Sequence, residues 1–344
     1  MRSAKVMKIC LYSSVFYPSI GGIENFVFLL ARELVKLGHY VTVFTEVKKV
    51  GEKKFPFKVI RSNSLEKKIK IFKKHDIVLI NNFSLKGVPA ALLSGTKLFI
   101  IHHSAYHKSN NFFWREHVKS KICLFFNNIA VSQFVANAIW GRSKIIYNMY
   151  DDYRFKRSNA QKSKNFIFCG RLTPDKGVNV LIDAFSLTLK KYQKSQLTIV
   201  GDGPNLKFLK QKVNNLNLSN NITFAGALTG KVLNRKFNEH HCMVIPSLSE
   251  TFGIVALEGL ATTDFVISSN RGGLPEAIKN CGQLIDPDPE KLAKAMINFL
   301  KSKKNISNDR KRKHLKKCKL HLLNHGCKYV AKKYLDYFKN HTSL

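Results

Sequence analysis

The chain is 344 residues long, 44% hydrophobic and strongly basic, with 58 lysines and arginines against 22 acidic residues and a formal net charge of +36. Such a length and apolar content suffice for two packed domains, while no run of about 18 apolar residues free of charge is present, which argues against a membrane-spanning segment. The seven cysteines, at positions 10, 123, 169, 242, 281, 318 and 327, include no Cys-x-x-Cys pair, which argues against a zinc site and a disulfide framework and suits reduced thiols in a cytoplasmic protein.

The amino-terminal apolar run is broken by Lys8, Ser13 and Ser14 and reads as a first strand rather than a signal segment. From there short apolar runs alternate with amphipathic ones: "KICLYS", "IENFVFLLARELVKLG", "YVTVFT", then "DIVLI" and "KLFII". This is the rhythm of strand, helix, strand in a parallel sheet covered on both faces. A helix is expected from about Ile23 to Leu37, with Phe26, Leu29, Leu30, Glu33 and Leu34 at helical spacing and Gly38 as its stop. "NNIAVS" and "KIIYN" continue the pattern, and the polar, aperiodic residues 148 to 165 read as a linker. Beyond it "FIFCG", "QLTIVGDG", "ITFAG", "CMVIPS", "FVISS" and "GQLID" alternate with helical segments. The expected organisation is an α/β chain of two doubly wound parallel-sheet domains, 1–150 and 165–308, facing a cleft, followed by a basic helix from 309 to 344 that packs back toward the first domain.

Ligands of open α/β sheets bind beyond the carboxyl ends of the strands, where loops feed helix N-termini. Gly21 and Gly22 follow the first strand and would let backbone amides approach a phosphate or sugar, or simply make a tight turn. Arg171 and Lys176 follow "FCG" and suit a diphosphate, with Arg171 able to engage it in bidentate fashion. "IVGDGP" is a strand ending in a glycine turn, for which the structural reading is favoured, with Gly201 letting the backbone pass close to a ligand. In "PSLSETFGIVALEGLA" two glutamates, Glu250 and Glu258, stand eight positions apart around a helix start; eight residues of helix would span about 12 Å. That distance separates a ribose from a sugar joined to it through a diphosphate, which would lie over the amides of Phe252, Gly253 and Ile254.

"PSIGGIE", "AVSQFVANAI", "IYNMYDDYRF", "CGRLTPDKGVNVLIDAF", "IVGDGP", "PSLSETFGIVALEGLA" and "RGGLPEAI" together resemble the successive signatures of the retaining GT-B glycosyltransferases called glycosyl transferase group 1, or family four. The resemblance covers nearly the whole chain and is most specific from residue 166 to 290. It implies two Rossmann-like domains, a nucleotide-sugar (UDP- or GDP-linked) on the second, a glycan or lipid-linked acceptor on the first, and no required metal or other cofactor. It also implies a peripheral enzyme on the inner face of the cytoplasmic membrane, serving cell-surface polysaccharide or lipopolysaccharide synthesis in bacteria. By the same resemblance Glu250 matches the first motif glutamate, near the donor sugar, and Glu258 the second, on the ribose. Arg171 and Lys176 match the diphosphate pair, and Gly21 and Gly22 the loop near donor phosphate and acceptor. A histidine ending the fifth strand contacts the transferred sugar in the family; "FIIHHSAYH" offers His102 and His103, of which His102 is preferred.

The sequence departs from the family pattern in two places. "ATTDFVI" has Thr263 and Phe265 where Gly and Pro are common, in a loop expected to border the nucleotide, and Met149-Tyr150 replaces a common Gly-Val pair at the hinge. No second carboxylate is evident for a double displacement. Same-face transfer is therefore expected, the leaving diphosphate accepting the acceptor proton.

The charge favours an anionic surface as partner. Between Lys48 and Lys74 the local net is +9, with Phe55, Phe57 and Phe72 interspersed, and "NNFFWREH" at 110 to 117 adds aromatics suited to headgroup level. A sugar-phosphate synthase or phosphorylase of the same fold is the alternative enzyme. A basic nucleic-acid-binding protein is the alternative of another class, although no recognised nucleic-acid module is present and no specific nucleic-acid partner is expected.

Overall fold

The computed structural model describes residues 6–19, 21–49, 51, 53–105, 121–158, 162–305 and 307–341. The chain forms two compact units, Met1–Met149 together with Gly326–Leu344, and Tyr150–His325.

In the first unit seven parallel strands, β1 (Lys8–Ser13), β2 (Tyr40–Thr45), β3 (Lys58–Arg61), β4 (Ile77–Asn81), β5 (Lys97–His102), β6 (Asn127–Ala130) and β7 (Ser143–Ile145), run in the order β3-β2-β1-β4-β5-β6-β7. Helices α1 (Gly22–Lys36), α2 (Leu65–Phe72), α3 (Gly87–Ser94) and the short α4 (Gln133–Ala136) connect them. α1 begins and ends one residue before its expected bounds and buries Phe26, Leu29, Leu30, Glu33 and Leu34. Buried Glu33 is neutralised by Arg32 at 3.0 Å and Lys36 at 3.2 Å, which is how a carboxylate survives on an apolar face.

Of the aromatics proposed for a membrane face, Phe57 and Phe72 are buried in this unit and Phe55 is half-buried. Phe72 is fully buried against Tyr12 and Phe44. Phe55 and Phe57 stack on each other 5.5 Å apart and pack with Phe16 and Phe28, while Lys53 Nζ caps the Tyr17 ring at 4.3 Å. Burying these rings against one another removes more apolar surface from water than a loop tip could, and this is why lysine neighbours mislead. The stretch 110 to 117 lies outside the described residues.

The second unit holds six parallel strands, β8 (Lys164–Cys169), β9 (Leu197–Val200), β10 (Ile222–Gly226), β11 (His240–Ile245), β12 (Phe265–Ser269) and β13 (Gln283–Ile285), in the order β10-β9-β8-β11-β12-β13. Its helices are α5 (Val178–Leu189), α6 (Leu206–Asn215), α7 (Gly230–Asn238), α8 (Ile254–Thr262), α9 (Leu274–Ile278), α10 (Pro289–Asn305) and α11 (Asn308–Leu323). One core gathers Phe166 and Phe168 from β8, Leu181 and Phe185 from α5, and Leu292, Met296 and Phe299 from α10.

The tail expected as a single basic helix is two. α11 belongs to the second unit, and α12 (Cys327–Lys339) to the first, where Tyr334 and Phe338 pack against Phe26 and Phe99. The break falls at Asn324, His325 and Gly326, with Gly326 extended at φ −67°, ψ 147° as the cap of α12.

The expected linker is in large part a packed strap. Met149, Tyr150, Asp151 and Phe155 are buried, and Phe155 stacks on Phe237 at 5.6 Å. Asn238 accepts from the Ser158 N–H and donates its Nδ2 to the Lys156 carbonyl. The stretch is aperiodic because it lies along a surface, not because it is free of one.

The strap ends in an ion cluster at the amino edge of the sheet. Asp264 receives His241 Nδ1 and Arg157 Nη1, each at 2.7 Å, and Lys311 at 3.4 Å, while Lys162 Nζ donates to the carbonyls of Asn238 and Thr262. Arg157 Nη2 also bonds the Thr263 carbonyl. Thr263 and Phe265 thus stand at the start of β12, at the edge opposite the carboxyl ends of the strands. Their departure from the family pattern therefore lies away from the loops that carry Arg171, Lys176 and Glu250.

Candidate active site

In the second unit the strand order reverses between β8 and β11. Crossovers leave these two neighbours in opposite directions, so the loops at their carboxyl ends diverge and open a crevice. The loop after β8 carries Arg171 and Lys176, and the loop after β11 carries Glu250. The two loops are stitched together: the N–H groups of Leu248 and Ser249 donate to the Asp175 carbonyl at 2.7 and 3.3 Å, and the Ser269 hydroxyl donates to the Ser247 carbonyl at 2.6 Å.

Lys176 Nζ lies 2.9 Å from Glu250 Oε2 and 3.3 Å from Asp175 Oδ2. Burial lowers the ammonium's pKa, but the two carboxylates outweigh it and the net direction is upward. Glu250 Oε1 accepts from the Thr251 N–H at 3.2 Å, and its backbone is clamped by the Gly273 N–H at 2.9 Å from the Glu250 carbonyl. Only glycine fits beside it: Gly272 has φ +59°, and a Cβ there would stand 1.8 Å from that same oxygen. Arg171 is exposed, and its side chain has no partner among the described residues.

α8 starts beside this pair, with Gly253 at its cap, so the N–H groups of Ile254 and Val255 and the positive dipole end are available to an anion. The Phe252 side chain is buried, 5.6 Å from the His325 ring, so only its backbone can serve a ligand. Helical rise applies from Ile254 to Glu258 alone, about 6 Å, and the rest of the spacing between the two glutamates is loop. Burial pushes the Glu258 carboxyl up to about 8; Arg154 draws it down and Asp151 adds to the rise. These two residues, paired at 3.4 Å, were not singled out from the sequence. Their only signal was an i,i+3 charge pair in a stretch without periodicity.

Gly201 makes the structural turn that the sequence favours for it. Its φ is +137° and a Cβ would stand 1.8 Å from the Gly170 carbonyl oxygen, so the close approach it permits is between two backbone turns of this unit.

In the first unit Gly21 caps α1, and Gly22 is its first residue. The Glu24 carboxylate folds back over Gly21, so that a Cβ there would meet Glu24 Oε2 at 2.5 Å. At the end of β5, His102 is fully buried (0% exposed), with Nε2 2.9 Å from Asn128 Oδ1. The Asn128 Nδ2 donates to the carbonyls of Cys123 and Phe126, which leaves Oδ1 as acceptor and Nε2–H as donor. His103 keeps 8% exposure, sits edge-on to Phe26 at 4.6 Å and has Nε2 3.4 Å from Asn81 Oδ1. Burial lowers both imidazoles, to about 4 and about 3, so both are neutral near pH 7. The preference for His102 runs against its burial.

Two family models match the chain: "Glycosyl transferases group 1" over residues 149–317 and "Glycosyltransferase Family 4" over residues 20–153. An uncharacterized glycosyltransferase of Methanocaldococcus jannaschii is 33% identical over 164 residues, a match that spans 47% of this chain and 40% of that protein. The phosphatidylinositol N-acetylglucosaminyltransferase gpi3 subunit of Schizosaccharomyces pombe is 25% identical over 332 residues, 84% of this chain and 72% of its own. Among solved structures, Anabaena HepE in complex with UDP and glucose superposes with a TM-score of 0.82 at 18% identity, over 97% of this chain and all of that one. With both of its parallel-sheet units matched in turn, the chain belongs to the group 1 glycosyltransferases and has the GT-B fold.

Proposed function

We propose that this glycosyltransferase moves a sugar from a nucleotide-sugar, with retention, to a glycan or lipid-linked acceptor at the cytoplasmic face of a membrane. The observation that carries the donor reading is the Lys176–Glu250 pair with exposed Arg171, unpartnered among the described residues, at the divergent loops beside the free end of α8. Arg171, Lys176 and the first amides of α8 neutralise the leaving diphosphate, the role expected of preorganised cations and dipoles. Glu250 orients Lys176 and accepts from sugar hydroxyls, and Glu258 accepts from the ribose. Of the two histidines, exposure favours His103 for contact with the transferred sugar. The complex of HepE with UDP and glucose supports the donor class, and the phosphatidylinositol-named relative supports a lipid-linked acceptor.

The test is thermal unfolding with UDP-, GDP- and ADP-sugars, with and without EDTA. One nucleotide-sugar is expected to raise the midpoint, and EDTA to leave that rise and the turnover unchanged, since the protein's own cations face the diphosphate. Loss of turnover on chelation, restored by Mg²⁺, would overturn the metal-free reading. A rise with sugar 1-phosphate in place of nucleotide-sugar would turn the assignment toward a phosphorylase or sugar-phosphate synthase.

A pH dependence follows from Glu258. With its carboxyl at about 8, raised by burial and by Asp151 against the pull of Arg154, and with half-buried Cys169 beside it, it is protonated near pH 7. The ribose hydroxyls are donors and favour the ionised form, so binding below pH 8 must first expel a proton. UDP affinity measured by calorimetry should tighten from pH 7 to 8, by up to about tenfold per unit, and Glu258→Gln should abolish the slope.

The acceptor side of the proposal rests on the first unit's surface. In the basic segment Lys68 is buried on Glu46 at 2.6 Å and Arg61 holds the Val47 and Tyr17 carbonyls, but the other lysines are exposed. Leu85, Leu92, Leu93 and Phe125 are exposed in the same unit, and no helix among the described residues is long and apolar enough to cross a membrane. Sedimentation with phosphatidylglycerol vesicles is expected, with none on phosphatidylcholine, and binding should be lost by about 0.5 M salt. Indifference to anionic vesicles at low salt would point to a soluble acceptor.

A further inference from the structure

Away from the donor loops, two thiols meet where α11 crosses the turn after α9. His321 Nε2 pins α11 to the Ala277 carbonyl at 2.8 Å, and on the same helix face stand His314 and Cys318, one turn apart. Cys318 Sγ lies 3.6 Å from the Cys281 carbonyl oxygen and 3.5 Å from His314 Nε2. The two side chains are close enough for each to shift the other's titration, Cys281 downward and Cys318 upward, and each cysteine is 2% exposed.

We propose that Cys281 and Cys318 are a dithiol oxidised by hydrogen peroxide to a disulfide that fastens α11 to the turn between α9 and β13. Cys281 is the nucleophile: the neighbouring Cys318 side chain, with Lys317 and Lys279, draws its thiol below the ordinary value against the effect of burial. Its thiolate attacks one peroxide oxygen and the O–O bond breaks. Cys281 becomes a sulfenic acid, and the departing hydroxide takes up the proton released by the thiol, leaving as water. Cys318 Sγ then attacks that sulfur, the S–S bond forms and the S–O bond breaks. The Cys318 proton, taken by His314, leaves with the hydroxyl as a second water. Two thiols and one peroxide give one disulfide and two waters; the sulfurs are oxidised and the peroxide is reduced. His314 can accept this proton because burial and then Lys317 lower its pKa and keep it neutral.

The other cysteines are placed differently. Burial raises the thiols of Cys10, Cys123, Cys169 and Cys242, and Cys327 is buried with its Sγ 3.8 Å from Arg32 Nη2.

The experiment treats the full folded chain with hydrogen peroxide, blocks free thiols with iodoacetamide, and maps peptides by mass. The expected result is a Cys281–Cys318 link lacking two hydrogens, reversed by dithiothreitol, with the other five cysteines unlinked. In Cys318→Ser, dimedone should label Cys281, and in Cys281→Ser it should leave Cys318 unlabelled. Should either variant melt early, the wild-type map decides alone. No 281–318 link in the folded chain, or a link that forms only after unfolding in urea, overturns the proposal.

Discussion

Glu250→Gln and Arg171→Ala should each lower turnover with the nucleotide-sugar at least about a hundredfold, the size typical of a lost transition-state electrostatic contact. The amide keeps the shape of the Glu250 side chain but removes the charge that meets Lys176 at 2.9 Å, so Lys176 loses its fixed position toward the leaving diphosphate. The fold should survive both changes. Lys176 retains Asp175 at 3.3 Å, the backbone at residue 250 is held by Gly273, and Arg171 is exposed and unpartnered among the described residues. A surface change such as Arg171→Ala stays within about 0.5 kcal/mol. Steady-state rates alongside urea midpoints separate the two effects, and a variant that turns over near the wild-type rate removes its residue from the mechanism.

The largest stability loss should come from Asp264→Asn. The carboxylate is the common partner of His241, Arg157 and Lys311. Removing its charge leaves Arg157 and Lys311 facing each other beside Lys162, whose pKa burial already lowers to about 8. Breaking a buried pair from one side costs about 3–5 kcal/mol, and the lower figure applies because Arg157 and Lys311 are partly exposed. The pH sign follows from the same cluster. Burial raises the Asp264 pKa, but the His241 hydrogen bond, Lys311 and Arg157 outweigh it and hold the carboxyl well below its ordinary 3.8. A depressed folded pKa contributes stability that is present above the unfolded value and is lost as pH falls below it. Urea unfolding of the wild type should weaken below about pH 4, and Asp264→Asn should flatten that share of the decline. A variant as stable as the wild type at pH 7 would show the cluster to be ornamental.

The strand and helix order was legible because both sheets are covered on two faces and so write continuous apolar runs, and α1 fell within one residue of its expected bounds. The Arg171, Lys176 and Glu250 loops were legible because chain order alone puts loop residues at the carboxyl edge, and strand reversal brings β8 and β11 together. Other features depend on which backbone lies nearest, which local pattern does not encode. Gly201 faces the Gly170 carbonyl, and His102 turns inward to Asn128 while His103 keeps an edge. The Asp264 cluster joins residues 157, 241, 264 and 311, and no periodicity spans such separations. Phe55 and Phe57 were misjudged because lysine neighbours in sequence are not neighbours in space.

The first unit is discontinuous in the chain: it is written at the start and completed only by Gly326–Leu344. Tyr334 and Phe338 of α12 cover Phe26 and Phe99, with ring centres 6.0 and 4.9 Å apart. During synthesis those rings emerge long before their cover, at a ribosome adding about 5–20 residues per second. The second unit, contiguous from Tyr150 to His325, has all its residues first. A nascent chain therefore carries an uncovered aromatic face for the whole time it takes to make the other unit, and a message truncated near its end leaves that face open for good, a natural mark for chaperones and proteases.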